Sequence, residues 1–326
     1  MSLADVKFKE LCRDVLENGT STEGQKNRPH WEDGSTAYTI KQFGKVIEYD
    51  LRKEFPAITL RRTAIKSAFD EILWIYQRKS NNIKDLNSHI WDQWANEYGS
   101  IGKAYGYQAA KRHIHRADSY PLKEAFNNLE SFSRQNQIAI LHEYEEVLRH
   151  GRDLDRVTVV ITEFRDQVDM VLYQLKHEPF SRRIMLNLWD FGELSEMNLQ
   201  PCCWSCNFNV TDEGGDKLVL NMVLNQRSSD ILTANNWNVV QYSLLLMMFA
   251  QVSGMVPGKL VHVMTDAHIY DRHVDIVKEL IERPEYAAPK VTLNPDIMDF
   301  YKFTQNDVIV SDYNFTEFKT KIDVAI

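Results

Sequence analysis

Residues 3–18 carry apolar positions at helical spacing and end at Gly19, which predicts an opening helix closed by a glycine. The polar, turn-rich TSTEGQKNRPHWEDGSTA after it predicts a surface loop. TIKQFGKVIEYDL alternates apolar and polar residues and predicts a strand pair. Between Ala64 and Gln77, the residues Ile65, Phe69, Ile72, Leu73 and Tyr76 recur at helical spacing. Glu71 lies off that stripe but has Trp74 and Ile75 as its i+3 and i+4 neighbours. From about 112 to 162 the chain is charged and His-rich, then helical in pattern, and reads as an inserted helical subregion. A helix over about 165–177, the break HEPFS and a strand RRIMLNLWDF follow.

Cys202, Trp204, Cys206, Phe208 and Val210 then alternate with Cys203, Ser205, Asn207 and Asn209, a period of two that predicts a strand. TDEGGD supplies a hairpin turn and KLVLNMVLNQRSSD the returning strand. The helix from about Asn238 to Val252 is apolar nearly all round and belongs in the core. Gln241, Ser243 and Gln251 interrupt it, and it is too short to span a bilayer. A strand KLVHVMTDAHIY leads into the helix DRHVDIVKELIE. No internal repeat or low-complexity tract is present.

The 326 residues are 44% hydrophobic and 26% charged, the profile of an ordinary globular chain. The first residues mix charges into their apolar positions and do not read as a secretory signal. Four cysteines in such a chain point to free thiols and a cytoplasmic location. A net charge of −8 disfavours a broad nucleic-acid surface, so neither DNA nor RNA binding is expected, and an anionic ligand needs locally placed arginines. Neither a G-x-G-x-x-G nor a phosphate-loop motif occurs, which leaves a nicotinamide cofactor without its usual signature.

Three of the four cysteines fall within NLQPCCWSCNFNV. Cys203-x-x-Cys206 has a zinc-ligand spacing, but no second pair exists, and on a regular strand the two thiols point to opposite faces. A metal is therefore not expected. Cys206 reads as a small buried hydrophobe. Cys202, after Pro201 at a strand end, is a candidate nucleophile. The paired strand carries Arg227, Ser228 and Asp230, a set suited to phosphate oxygens, with an arginine able to favour a thiolate. An arginine on its own is more often a surface ion pair.

At this point the chain resembles the folate-dependent thymidylate synthase family. The residues that carry the resemblance are QPCC, NFNV, LNQRSSD and NNWNVVQYSLLLMMFA, with DEILWIYQRKSNN, IWDQWANEYGSIGKAYGYQ, PFSRRIMLNLWD, HIYDRHVDIVKELIERP and the terminal KIDVAI. The match runs in family order over roughly two thirds of the chain. It implies a single α+β domain over residues 1–326 with a large mixed sheet flanked by helices, and sheets packed back to back in a homodimer. It also implies dUMP as substrate and 5,10-methylenetetrahydrofolate as donor of both the carbon and the hydride, with neither metal nor nicotinamide.

By the same resemblance Cys202 attacks C6 of the pyrimidine, Glu71 acts through water at O4, and Tyr105 lies near the thiol. A glutamate among apolar neighbours carries a raised pKa, which suits acid–base work at neutral pH. Asn238 reads the uracil edge, with a plain helix N-cap as its alternative role. Arg227, Ser228 and Arg28 hold the phosphate, and Arg182 and Arg183 reach it from the other subunit. His268 and Tyr270 hold the ribose. Asp230 contacts the pterin and takes part in catalysis, Trp91 and Ala234 line the folate site, and Ile326 ends a closing tail. Two positions depart from the family pattern: Cys203 stands where a histidine is usual, and Ala234 where a glycine is usual. The rival readings are a deoxycytidylate hydroxymethylase, against which Asn238 speaks, a silent nucleotide- or RNA-binding homologue, and a zinc or redox module.

Overall fold

A computed structural model describes Met1–Ile326. The chain forms two compact units, one of Met1–Ala110 with Val171–Ile326 and one of Lys111–Met170. In chain order the elements begin α1 (Leu3–Asn18), β1 (Thr20–Ser21), β2 (Thr39–Asp50), α2 (Ile65–Ile72), α3 (Gly106–Ala110), β3 (Arg112–Pro121), α4 (Leu122–Asn127), α5 (Arg134–Arg149), β4 (Thr158–Asp166) and α6 (Gln167–His177). They continue β5 (Met185–Asn187), β6 (Cys203–Thr211), β7 (Val219–Gln226), β8 (Ser229–Asp230), α7 (Asn236–Val252), β9 (Val256–Tyr270), α8 (Val274–Ile281), β10 (Lys290–Leu293) and β11 (Val308–Ser311).

The first unit is organised on a mixed sheet in the order β1-β2-β9-β7-β6-β5, with β8 also beside β9. β9 lies antiparallel to β2 and parallel to β7 and β8. A parallel neighbour needs a crossover rather than a hairpin, and α7 provides it. That crossover explains the all-round apolar sequence of α7. Phe249 meets Phe208 of the sheet edge-on at 5.3 Å, and Tyr242 exchanges a hydroxyl contact of 3.1 Å with Tyr76 after α2. Leu244, Leu245, Leu246 and Met248 are buried as well, each stabilising the fold by roughly 1.5–3 kcal/mol.

Several elements differ from the sequence expectation. TIKQFGKVIEYDL is one strand, β2, because Gly44 at φ 72° is accommodated without reversing the chain. The helix over 64–77 is α2 followed by a π turn over Leu73–Gln77. RRIMLNLWDF contributes only the short β5. In β6, Cys203 pairs with Gln226 but Ser205 pairs with Asn225, so Trp204 is an extra residue in a bulge. The bulge changes the phase of the strand. Cys203 and Cys206 are consequently both buried and both lie near Tyr76 and Tyr242, not on opposite faces.

The second unit is not purely helical. β3 and β4 pair antiparallel and bracket α4 and α5. Leu122, Ala125, Ile140, Val147, Val159 and Ile161 form its core, with Phe126 stacked on Tyr144 at 3.8 Å. Most of β3 is exposed, so RHIHRADSYP carries no apolar alternation that would reveal a strand. No helix of the chain is long and apolar enough to cross a membrane.

Candidate active site

Cys202 stands one residue before β6, half-buried. Its main-chain N–H donates to the Tyr105 hydroxyl at 3.2 Å, and its carbonyl accepts the Arg227 N–H at 2.9 Å. Its Sγ lies 3.9 Å from Arg227 Nη2. Between β7 and β8 the chain leaves β9 for two residues, Arg227 and Ser228, and the Arg227 main chain stays tied to Cys202 instead. The guanidinium is fixed by the carbonyls of Pro201 at 3.1 Å and Gln200 at 2.9 Å, and it stacks over Trp189. Tyr105 is held at φ 47°, a strained backbone for a non-glycine residue. Gly106 follows because a Cβ there would meet the Ser80 carbonyl at 2.0 Å.

Burial pushes the Cys202 thiol above its usual range, and the nearby carboxylate of Asp230 adds to this. Arg227 and Arg28 pull the other way and do not cancel it. The arginines thus favour a thiolate without producing a standing one. Cys203 is buried deeper and pushed up further.

Glu71 is 5% exposed. Burial raises its carboxyl to about 7, opposed by Gln241, Trp237 and Trp91. Trp237 Nε1 donates to Oε2 at 2.9 Å. The indole N–H of Trp91 and the amide nitrogen of Gln241 are buried and lack a well-formed partner. Trp91 packs edge-on against Tyr105 at 4.8 Å, which links the carboxyl to the thiol region. Two π turns flank this centre, Leu73–Gln77 after Glu71 and Ile231–Asn235 before α7. Such turns re-aim the side chains around them and recur at functional sites.

Asn238 lies in the first turn of α7, not at its cap, which falls at Asn235. Its Oδ1 accepts from Gln226 at 3.1 Å and its Nδ2 donates to Gln241 at 2.9 Å. His268 is buried with Nδ1 2.8 Å from Asp266, whose other oxygen meets Lys41 at 3.0 Å. Tyr270 stands edge-on to His268 at 5.1 Å. Asp230 caps the turn before α7 through the N–H groups of Leu232 and Thr233. Ala234 lies within that turn, half-buried. Arg28 is exposed but near enough to act on Cys202 and Tyr270. Ile326 pairs with His30 through two main-chain hydrogen bonds of 2.8 and 2.9 Å, which folds the tail back on the loop that carries Arg28.

Arg182 and Arg183 stand apart. They are exposed just before the edge strand β5 and make no contact with the Cys202 cluster. Conversely, Trp237, Gln226, Gln241 and His262 belong to the cluster and were not singled out from the sequence. For Gln226, Gln241 and His262 the only sequence signal is polarity at positions that the period of β7, β9 or α7 assigns to the core.

The arrangement joins a thiol, a guanidinium, a neutral-range carboxyl and an oriented amide, all contributed by the first unit. The family model described as thymidylate synthase matches residues 6–326. The chain belongs to the thymidylate synthase family. The thymidylate synthase of Bacillus mojavensis is 34% identical over all of both chains, and thymidylate synthase 1 of Bacillus subtilis strain 168 is 33% identical over the same extent. Among solved structures, a thermostable thymidylate synthase A from Bacillus subtilis matches with a TM-score of 0.77 at 34% identity, covering 99% of each chain. The family's match also spans residues 112–162, which the motifs read from the sequence did not reach.

Proposed function

We propose that the chain is a thymidylate synthase that converts dUMP to dTMP with 5,10-methylenetetrahydrofolate at the Cys202 cluster. The carrying observation is the 3.9 Å approach of Arg227 to the Cys202 thiol, with Arg227 and Ser228 adjacent in the break between β7 and β8. The same guanidinium is thereby able to hold a phosphate and to favour thiolate as the C6 bond forms. Because burial favours the protonated thiol at rest, its proton passes to water as the S–C6 bond forms, the C5–C6 π pair becomes a C4–C5 double bond and the C4–O4 π pair moves onto O4.

Asn238 offers uracil one lone pair and one N–H beyond those used in the protein. Glu71, near half-ionised at pH 7, both holds and releases a proton at the O4 side. Tyr105 positions the main chain of Cys202, and His268 and Tyr270 receive the ribose hydroxyl. Arg28 joins the phosphate from the loop held by Ile326.

The buried, poorly partnered N–H groups of Trp91 and Arg61 fit a heterocycle rich in acceptors. The folate, when bound, supplies the one-carbon unit and the hydride. Trp91 and Ala234 would line it, Ile326 would close over it, and Asp230 would meet its pterin with carboxylate capacity left after capping.

A homodimer belongs to this reading, supported by the other face of the sheet. Val46 is exposed there, and its pair Val263, with Val261 and its pair Val223, is only half-covered, an apolar strip on one face of the sheet. Two copies back to back would cover it, and Arg182 and Arg183 would then serve the partner's phosphate site. The enzyme is expected to act in the cytoplasm.

The test is intact-protein mass spectrometry after mixing with 5-fluoro-dUMP and methylenetetrahydrofolate. Fluorine at C5 does not leave as a proton does, so a mass gain equal to both ligands is expected, absent in Cys202→Ala. No adduct from the folded wild type refutes the reading.

A further inference from the structure

Four polar side chains form one hydrogen-bonded file between the sheet and α7: His262, Gln226, Asn238 and Gln241. His262, Gln226 and Gln241 are 0%, 1% and 2% exposed. Amides that deep are costly unless their atoms are matched. Here the matching has a direction. Gln226 Nε2 reaches the main-chain oxygen of Ser228 at 2.8 Å and Asn238 Oδ1 at 3.1 Å. A carbonyl oxygen only accepts, so this end of Gln226 is its nitrogen, and its Oε1 faces His262 Nε2 at 2.6 Å. His262 therefore carries its proton on Nε2. Asn238 passes the direction on, donating from Nδ2 to Gln241 Oε1 at 2.9 Å. The amide nitrogen of Gln241 is left toward Glu71.

We propose that His262, acting through Gln226 together with the Ser228 carbonyl, is a positioning residue that helps lock Asn238 in the orientation that accepts uracil and rejects cytosine. This rests on the reading above that dUMP meets Asn238. Uracil presents an N–H beside a carbonyl, and cytosine presents the reverse. Turning Asn238 to suit cytosine would set N–H against N–H at Gln226 and oxygen against oxygen at Gln241. Turning Gln226 with it would oppose its oxygen to the Ser228 carbonyl and its N–H to the His262 N–H. The last escape is the other histidine tautomer, but Nδ1 is buried without a partner, and a proton there would be stranded. Burial also pushes the ring down to about 3, so it stays neutral.

The experiment measures dUMP and dCMP binding by calorimetry on the full-length wild type, His262→Phe and His262→Gln. Phenylalanine fills the space without a donor, and glutamine returns an N–H near the place of Nε2. The preference for dUMP is expected to fall roughly tenfold in His262→Phe, the scale of one buried hydrogen bond, and to recover in His262→Gln. A role in packing alone gives the opposite order. If the wild type forms the 5-fluoro-dUMP adduct and His262→Phe keeps its preference, the inference is overturned and the reading stands. A wild type that binds no dUMP overturns both. Should His262→Phe not fold, nitrogen-15 NMR of wild-type His262 near pH 7 decides: the Nε2–H tautomer supports the lock, and an Nδ1–H or charged ring overturns it.

Discussion

Replacing Glu71 by glutamine separates the cost of burying a charge from every other effect of pH. The Glu71 carboxyl moves from an ordinary 4.5 to about 7 because burial penalises its charged form. At about 1.4 kcal/mol per pH unit, that amounts to roughly 3 kcal/mol. The sign follows from proton counting. Between pH 4.5 and about 7 the folded protein keeps a proton that the unfolded chain has released. Stability therefore falls as pH rises through this window, with the full contribution present below it and lost above it. Glutamine keeps an acceptor for the Trp237 N–H but never ionises.

Urea denaturation of wild type and Glu71→Gln at several pH values from about 4 to 8 measures the difference, and all other titrating groups cancel in it. The variant is expected to gain about 3 kcal/mol on the wild type across the window, with the gap opening chiefly between pH 5 and 7. Parallel stability curves for the two proteins would refute the claim that Glu71 is a buried, neutral-range acid. In the same variant the pH–rate profile should lose its limb near pH 7.

Two further outcomes follow from the geometry. Arg227→Ala removes one of two cationic pulls on Cys202, so alkylation of that thiol by iodoacetamide should slow several-fold at about pH 8 while the fold persists; an unchanged rate would mean that the 3.9 Å contact is electrostatically idle. Leu122→Ala empties a fully buried place in the core of the second unit and should cost about 2–5 kcal/mol in its unfolding, read by denaturant melts. A change below about 0.5 kcal/mol would show that this core is not tightly packed.

Several residues that the structure gathers around Cys202 sit in short local motifs. Cys202 beside Pro201, Arg227 beside Ser228, and Asn238 at the head of an apolar helix are each visible as short motifs. Glu71 was singled out only through the family resemblance, since its partner Trp237 comes from a distant segment. The file of His262, Gln226 and Gln241 was not legible, since a lone polar residue in an apolar strand or helix shows neither its partner nor its orientation. The bulge at Trp204 was also hidden. Period two in the sequence continues through it, whereas the pairing register does not. The strand pair of the second unit escaped because an exposed strand bears no apolar stripe.

By itself the sequence determined the elements with a buried stripe, the hairpin of β6 and β7, and the apolar helix between β8 and β9. Periodicity and turn chemistry act over a few residues, so they survive in the linear chain. Only the tertiary structure decided that burial outweighs two arginines at Cys202, that Glu71 titrates near 7, and that the Ser228 carbonyl and His262 face the two ends of one amide, Gln226. Those properties depend on desolvation and on partners brought together from far along the chain.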